Sequence, residues 1–206
     1  MVLVQYKPTR SQLLQLRRIR RTAERGHKLL KLKQDALIVE FFRVLERAKA
    51  VRSNIVEKYR IAEDRIAIAR AIEGSIGVKS AAFALQVTPT LELKTKNVMG
   101  ILVPKIDAKA VRKSITERGY GIVGTSPRID EAAEAYENLV EDVITAAEIE
   151  TTMRRLIEEI EKVKRRVNAL EYRVIPELKS TEAFIRQRLE EMERDNFMRL
   201  KRFKAT

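Results

Sequence analysis

The chain has 206 residues, 45% hydrophobic and 34% charged, with a net charge of +13, one His and neither Cys nor Trp. The absence of cysteine excludes a disulfide framework and a thiolate metal site, and a single histidine excludes a multi-histidine centre. No run approaches the roughly 18 consecutive apolar residues of a membrane span. The N-terminal segment lacks the apolar core of a signal peptide, so a soluble cytoplasmic chain is expected. Aromatics are 5%, and seven Gly and five Pro are few for this length, which favours long helices over a loop-rich enzyme fold.

Charge is unevenly spread. Residues 1–73 carry 18 Lys/Arg against 8 Asp/Glu, residues 74–128 carry 9 against 3, and residues 129–206 carry 15 against 18. Lys7–Lys33 holds ten basic residues and one acid, Glu24, whereas Asp130–Glu150 holds eight acids and no base. Six of the seven glycines, and Pro89, Pro104 and Pro127, fall between 74 and 127. The layout is therefore three-part: an N-terminal coiled-coil helix (1–73), an insert (74–128) and a C-terminal coiled-coil helix (129–206).

The first helix opens with Thr9 and Gln12 at capping-box spacing. A seam then steps by three and four through Leu16, Ile19, Ala23, His27, Leu30, Gln34, Leu37, Phe41, Val44, Ala48, Val51, Ile55, Tyr59, Ala62, Ile66, Ala69 and Glu73. Its mean step is close to 3.5, the period of a stripe kept covered by a supercoiled partner helix. Sixty-four helical residues at 1.5 Å rise would extend roughly 95 Å. His27 and Gln34 are expected to be polar seam residues that set register.

In the insert, Leu91, Leu93 and Thr95 alternate, as does Val98–Val103. A small β-hairpin with Lys96-Asn97 at its turn is expected, leaning on the helices because a lone hairpin is marginal in water. Asp107–Arg118 suggests a short helix. Gly119-Tyr-Gly-Ile-Val-Gly124 is Gly-rich but lacks the strand before it and the lysine after it that a phosphate-cradling loop needs, and reads as a plain loop.

The second helix begins at Ser126-Pro127, an N-cap followed by proline at the first helical position. Its seam reads Ile129, Ala133, Tyr136, Val140, Val143, Ala147, then Met153, Leu156, Ile160, Val163, Val167, Leu170, Val174, Leu178, Ile185, Leu189 and Met192. Pro176 removes a backbone donor, so a kink is expected near 172–176. The fold class is mainly α: a long antiparallel two-helix coiled coil with a small hairpin-bearing insert. Antiparallel pairing would bring the basic start of the first helix beside the basic C-terminus.

Chemistry that would mark an enzyme is missing: no phosphate-binding lysine motif, no nucleophile–base arrangement independent of His27, and Glu158, Glu159 and Glu161 alternate with bases as a solvated face. No catalytic, cofactor-binding or metal-ligating residue is assigned, and no cofactor is expected. Arg17-Arg18-Ile19-Arg20-Arg21 could grip phosphates, but no aromatic that would stack bases lies nearby. The apolar stripe is too narrow to lie in a bilayer. Composition and charge leave open a coiled-coil rod seated in an acidic protein cavity or a basic coiled-coil scaffold that binds nucleic acid or tethers other proteins.

Several segments resemble the D subunit of archaeal A-type and vacuolar V-type rotary ATPases. They are Pro8–Leu14, Arg25–Leu37, Val98–Pro104, Gly124–Tyr136, Asn168–Pro176 and Glu191–Lys201, in order over nearly the whole chain; Val98–Pro104 looks archaeal in type. The resemblance implies a non-catalytic central-stalk component, a rotor shaft coupling ATP turnover to ion translocation. It implies contacts with a head of catalytic A and B subunits, with the F subunit, and with the C subunit (also called d) above the membrane ring. It further implies a peripheral place on the cytoplasmic face of the membrane, with neither nucleic-acid binding nor membrane insertion. Arg17, Arg18, Arg21, Arg194, Arg199 and Arg202 are then expected to carry head contacts at the tip. The acidic block Asp130–Glu150 would face the F subunit or the insert.

Overall fold

The computed structural model describes residues 7–84, 89–109, 111–114, 118–121 and 125–205. In chain order its elements are α1 (Arg10–Phe83), β1 (Thr90–Val98), β2 (Ile101–Lys109), α2 (Pro127–Ala169), a π-helical turn (Leu170–Val174) and α3 (Ile175–Ala205). The chain divides into two compact units, Met1–Ile38 with Ile160–Thr206, and Val39–Glu159. In each, an N-terminal helical stretch runs antiparallel to a C-terminal one, so the fold is the mainly α two-helix arrangement with a β-hairpin insert that the periodicity predicts.

In the first unit, α1 starts at a Thr9 N-cap. The Gln12 N–H donates to Thr9 Oγ1 (3.3 Å) and the Leu13 N–H to the Thr9 carbonyl (3.0 Å). Only this half of the expected capping box forms, because the Thr9 N–H is already bonded to the Lys7 carbonyl at 2.9 Å. Antiparallel direction is set by pairs whose partners step oppositely along the two helices: Arg10 with Glu193, Arg17 and Arg20 with Glu182, His27 with Glu171. The seam of this unit holds fully buried Leu16 and Ile185 among these pairs, and Leu37 and Val163 beyond the last of them.

A π-helical turn interrupts the C-terminal helix just before Pro176, overlapping the stretch where a kink is expected. The Ile175 N–H reaches back five residues to the Leu170 carbonyl. Pro176 offers no N–H, and its ring would crowd the carbonyl four residues earlier in a regular helix; the wider turn relieves that contact.

In the second unit, Ala62 and Ala69 of α1 are buried, as are Ile129, Ala132, Ala135 and Leu139 of α2. Lys58 pairs with Asp142 at 2.7 Å, and Arg65 Nη1 donates to the Glu131 carbonyl at 3.2 Å. The buried stripe at the start of α2 lies beside the predicted one. It passes through buried Ala132, Ala135 and Leu139 and half-buried Asp142, Ala146 and Ile149, whereas of the predicted stripe Ile129 is buried but Val140 and Val143 are 37% and 48% exposed. An aspartate and small alanines on the true stripe, with valines next to it, misdirect a hydropathy count. Helix α1 breaks at Gly74, whose φ of 76° and ψ of 161° lie outside the helical region, a conformation glycine adopts without steric cost.

The hairpin pairs Thr90 with Lys109 through Val98 with Ile101. Its turn is Met99-Gly100, with φ of 52° and 86°, rather than the predicted Lys96-Asn97. Two-residue hairpin turns that match strand twist need positive φ at both central positions, and glycine supplies one of them here. Asn97 instead lies in β1 opposite Leu102, and its Oδ1 accepts from the Gly100 N–H at 2.8 Å. The short helix expected over 107–118 is also corrected. Asp107–Lys109 complete β2, residues 111–114 are irregular, and 110 and 115–117 lie outside the described residues. Likewise, 119–121 are irregular and 122–124 of the Gly-rich segment are outside them. Val103 is buried, and the Ile106 N–H donates to Glu148 Oε2 of α2 at 2.9 Å, holding β2 on that helix.

Candidate interaction surfaces

At the paired ends of α1 and α3, Glu182 accepts from Arg17 Nε at 3.0 Å and from Arg20 Nε at 2.8 Å, while Arg20 Nη1 also donates to Glu24 at 2.8 Å. Partial burial disfavours the Glu182 charge. The hydrogen bonds from Arg17 and Arg20 outweigh that and hold its pKa below the usual glutamate value. Those to Glu24 and Glu182 raise the Arg20 pKa. Two arginines of the basic run are thus fixed within the helix pair, which leaves Arg18 and Arg21 to the outside.

The six arginines singled out by sequence fall into two groups. Arg17, Arg18 and Arg21 stand near the level of Glu182; Arg17 is half-buried and the other two are exposed. Arg194, Arg199 and Arg202 are exposed on α3 at or beyond Glu193, the partner of Arg10. The twelve residues from Glu182 to Arg194 correspond to about 18 Å of helix. Around the second group stand residues that the seam pattern does not select: Phe197, Met198, Leu200 and Phe203, 60–83% exposed. Aromatic and arginine side chains on one exposed helix end are the composition of a protein interface. The end of the second seam, at Met192, already signals that the last residues of α3 leave the helix partner, and among the described residues no helix covers them.

The predicted seam residues sit as follows. Leu16, Leu37, Val163, Val167 and Ile185 are buried. Leu30, Val44, Val51, Ile55, Ile160, Leu170 and Leu189 are half-buried, and Ile19 and Val143 are nearly half exposed. His27 Nε2 lies 3.3 Å from Glu171 Oε2.

On the insert, Arg118 forms a node that its sequence position does not advertise. It is 5% exposed. Its Nε and Nη2 donate to the two oxygens of Glu137 at 3.1 and 3.0 Å, and Nη1 donates to Asp130 Oδ1 at 3.0 Å. Tyr120 donates its hydroxyl to the same Asp130 oxygen at 2.6 Å. Burial opposes the Arg118 charge, but the hydrogen bonds to Glu137 and then Asp130 overcome it and raise its pKa. Burial and the bond to Asp130 push the Tyr120 phenol up to about 12. Asp130 and Glu137 lie seven residues apart, on one face of α2; that spacing is the one signal from which the node could be found in the sequence. The acidic block thus serves the insert at Asp130, Glu137, Glu141 (2.7 Å from Arg112) and Glu148. Among the described residues no group of three or more His, Asp or Glu could hold a metal ion, and no helix is long and apolar enough to cross a membrane.

The family of ATP synthase D subunits matches residues 12–205. The chain belongs to the ATP synthase D subunit family. Within it, the D subunit of the A-type ATP synthase of Methanococcoides burtonii is 56% identical over 96% of each chain. That of Methanoregula boonei is 52% identical over all of this chain and 98% of its own length. That of Archaeoglobus fulgidus is 52% identical over 98% and 97%. The match to these D subunits spans the helices and the insert alike, so the Arg118 node and the hairpin lie inside the family's aligned length.

Proposed function

We propose that the chain is the central-stalk component of an A-type ATP synthase, a non-catalytic rotor shaft coupling ATP turnover in a head of A and B subunits to ion translocation. The observation that carries this reading is the antiparallel α1–α3 pair clamped by Glu182, joined to membership of the D subunit family. A shaft needs a covered seam and an outer surface that meets successive head subunits without latching. Exposed arginines on long stems give contacts of about 0–1 kcal/mol each, and they outnumber acids at both helix ends of this unit. The acidic face of α2 and the hairpin suit the F subunit, and the C subunit (d) would carry the shaft above the membrane ring. That arrangement keeps the chain peripheral, at the cytoplasmic face, and leaves nucleotide binding to the head.

Because the chain has no cysteine, one placed at Arg199 and another on the inner wall of the head can be joined selectively in the assembled complex. Oxidation should stop ATP hydrolysis and reduction should restore it. Full turnover under complete crosslinking would end the reading. Neutralising Arg17, Arg18, Arg21, Arg194, Arg199 and Arg202 together should lower coupling while leaving the helix content of the chain intact.

A further inference from the structure

The residues covered along the C-terminal helix change phase at the π-helical turn. Before it, Ile160, Val163, Val167 and Leu170 are covered at steps of three and four. Continued in that rhythm, the stripe would pass through Glu177, Phe184 and Arg188. Those positions are exposed, Phe184 at 38%, while Leu178, Ile185 and Leu189 are covered and Ile185 is fully buried. The continued rhythm also passes through Val174, 36% exposed, and through Thr181, which lies on both stripes and is buried, its hydroxyl donating to the Glu177 carbonyl at 2.7 Å. Leu170 and Leu178 are eight residues apart where two steps of a heptad seam need seven. One residue is surplus, and a π turn is the local form in which a helix takes up one residue more than its α-helical count.

We propose that the Leu170–Val174 turn is a register insert imposed by this seam mismatch, and that Pro176 accommodates the turn rather than causing it. Its consequence reaches the charged clamp. Helical residues are about 100° apart around the axis, so without the insert Glu182 would swing away from Arg17 and Arg20 by that angle, as would Ile185 from the seam. Glu171, on the turn itself, meets His27 and ties the wide segment to α1. Tyr172 is 74% exposed and makes no contribution to the seam, which marks it as the removable residue.

Three variants of the full-length chain test this. Pro176→Ala alone should keep the Ile175 N–H bonded to the Leu170 carbonyl in a crystal structure, because the surplus residue remains. Deletion of Tyr172 combined with Pro176→Ala leaves seven residues from Leu170 to Leu178. This variant should melt within about 4 °C of the parent. Deletion of Glu161, another exposed residue but inside the regular helix, should lower the melting temperature by more than about 8 °C, because it turns Val163, Val167 and Leu170 off the seam. The inference is overturned if the Tyr172 deletion costs as much as the Glu161 deletion. It is equally overturned if Pro176→Ala becomes a regular α-helix with Leu178 and Ile185 still buried.

Discussion

The α1–α3 pair and the insert on α2 are held by opposite chemistries. In the pair, Leu16 of α1 and Ile185 of α3, with Val163 at the end of α2, exclude water along a stripe, and the ions flank it, with Arg10 81%, Arg17 39% and Glu182 14% exposed at the side chain. In the insert, a guanidinium 6% exposed at its side chain is enclosed by two carboxylates and a phenol, and the phenol packs on a small apolar cluster of Ala69, Ala81 and Ile129. A stripe fails by degrees, because each apolar side chain contributes its own increment. A buried ion node fails at once, since removing one member leaves the others desolvated and unpaired.

The largest expected effect comes from breaking the node. Arg118→Ala should destabilise the Val39–Glu159 unit by about 4 kcal/mol in denaturant unfolding, most of it from Glu137, since Asp130 keeps the Tyr120 hydroxyl. Combining Arg118→Met with Glu137→Gln and Asp130→Asn should recover part of that loss, because no charge is then left buried. A triple variant weaker than Arg118→Ala would remove the contrast between the regions. In the pair, Ile185→Ala should cost about 3 kcal/mol by loss of buried volume. Val143→Ala, at a position 48% exposed, should stay within about 0.5 kcal/mol; equal losses would contradict the observed phase of the stripes.

The same contrast sets what can be read from the sequence. Leu16, Leu37, Val163 and Ile185 repeat at helical spacing, so the two helices and much of the seam follow from period, and their antiparallel sense from the insert that joins helices of similar length. Val143 misleads because hydropathy ranks a valine above Asp142, and only Lys58 across the pair makes that aspartate tolerable on the stripe. The node has no period: Arg118 is one arginine in an irregular segment, and its partners are distant in sequence. The hairpin turn escapes prediction for a local reason, since alternation sets the strands but the positive φ at Met99 and Gly100 sets where they reverse.

That turn gives a smaller test. Gly100 has φ of 86°, and a methyl carbon placed on it would have nothing within 4 Å. Gly100→Ala should therefore cost about 1 kcal/mol purely as backbone strain. Met99→Asn should gain about 0.5 kcal/mol, because asparagine tolerates the left-handed region better than methionine. Amide exchange in β1 and β2 reads both; changes of equal sign would show that side-chain contacts, not φ, govern the turn.

At the Glu182 clamp the direction of the effect with pH is fixed. Glu182 has a folded pKa below its ordinary 4.5, so the unfolded chain takes up its proton first as pH falls. Its contribution is complete well above 4.5 and is lost as pH drops through the lower folded value. Glu182→Gln should therefore flatten the acid limb of the stability profile below about pH 5, with a loss near neutrality of about 1 kcal/mol. Raising salt should shrink that loss further. If Glu182→Gln instead cost as much as Arg118→Ala, the clamp would be a buried node in its own right. The division between a rim of screened ions and a core of desolvated ones would then fail.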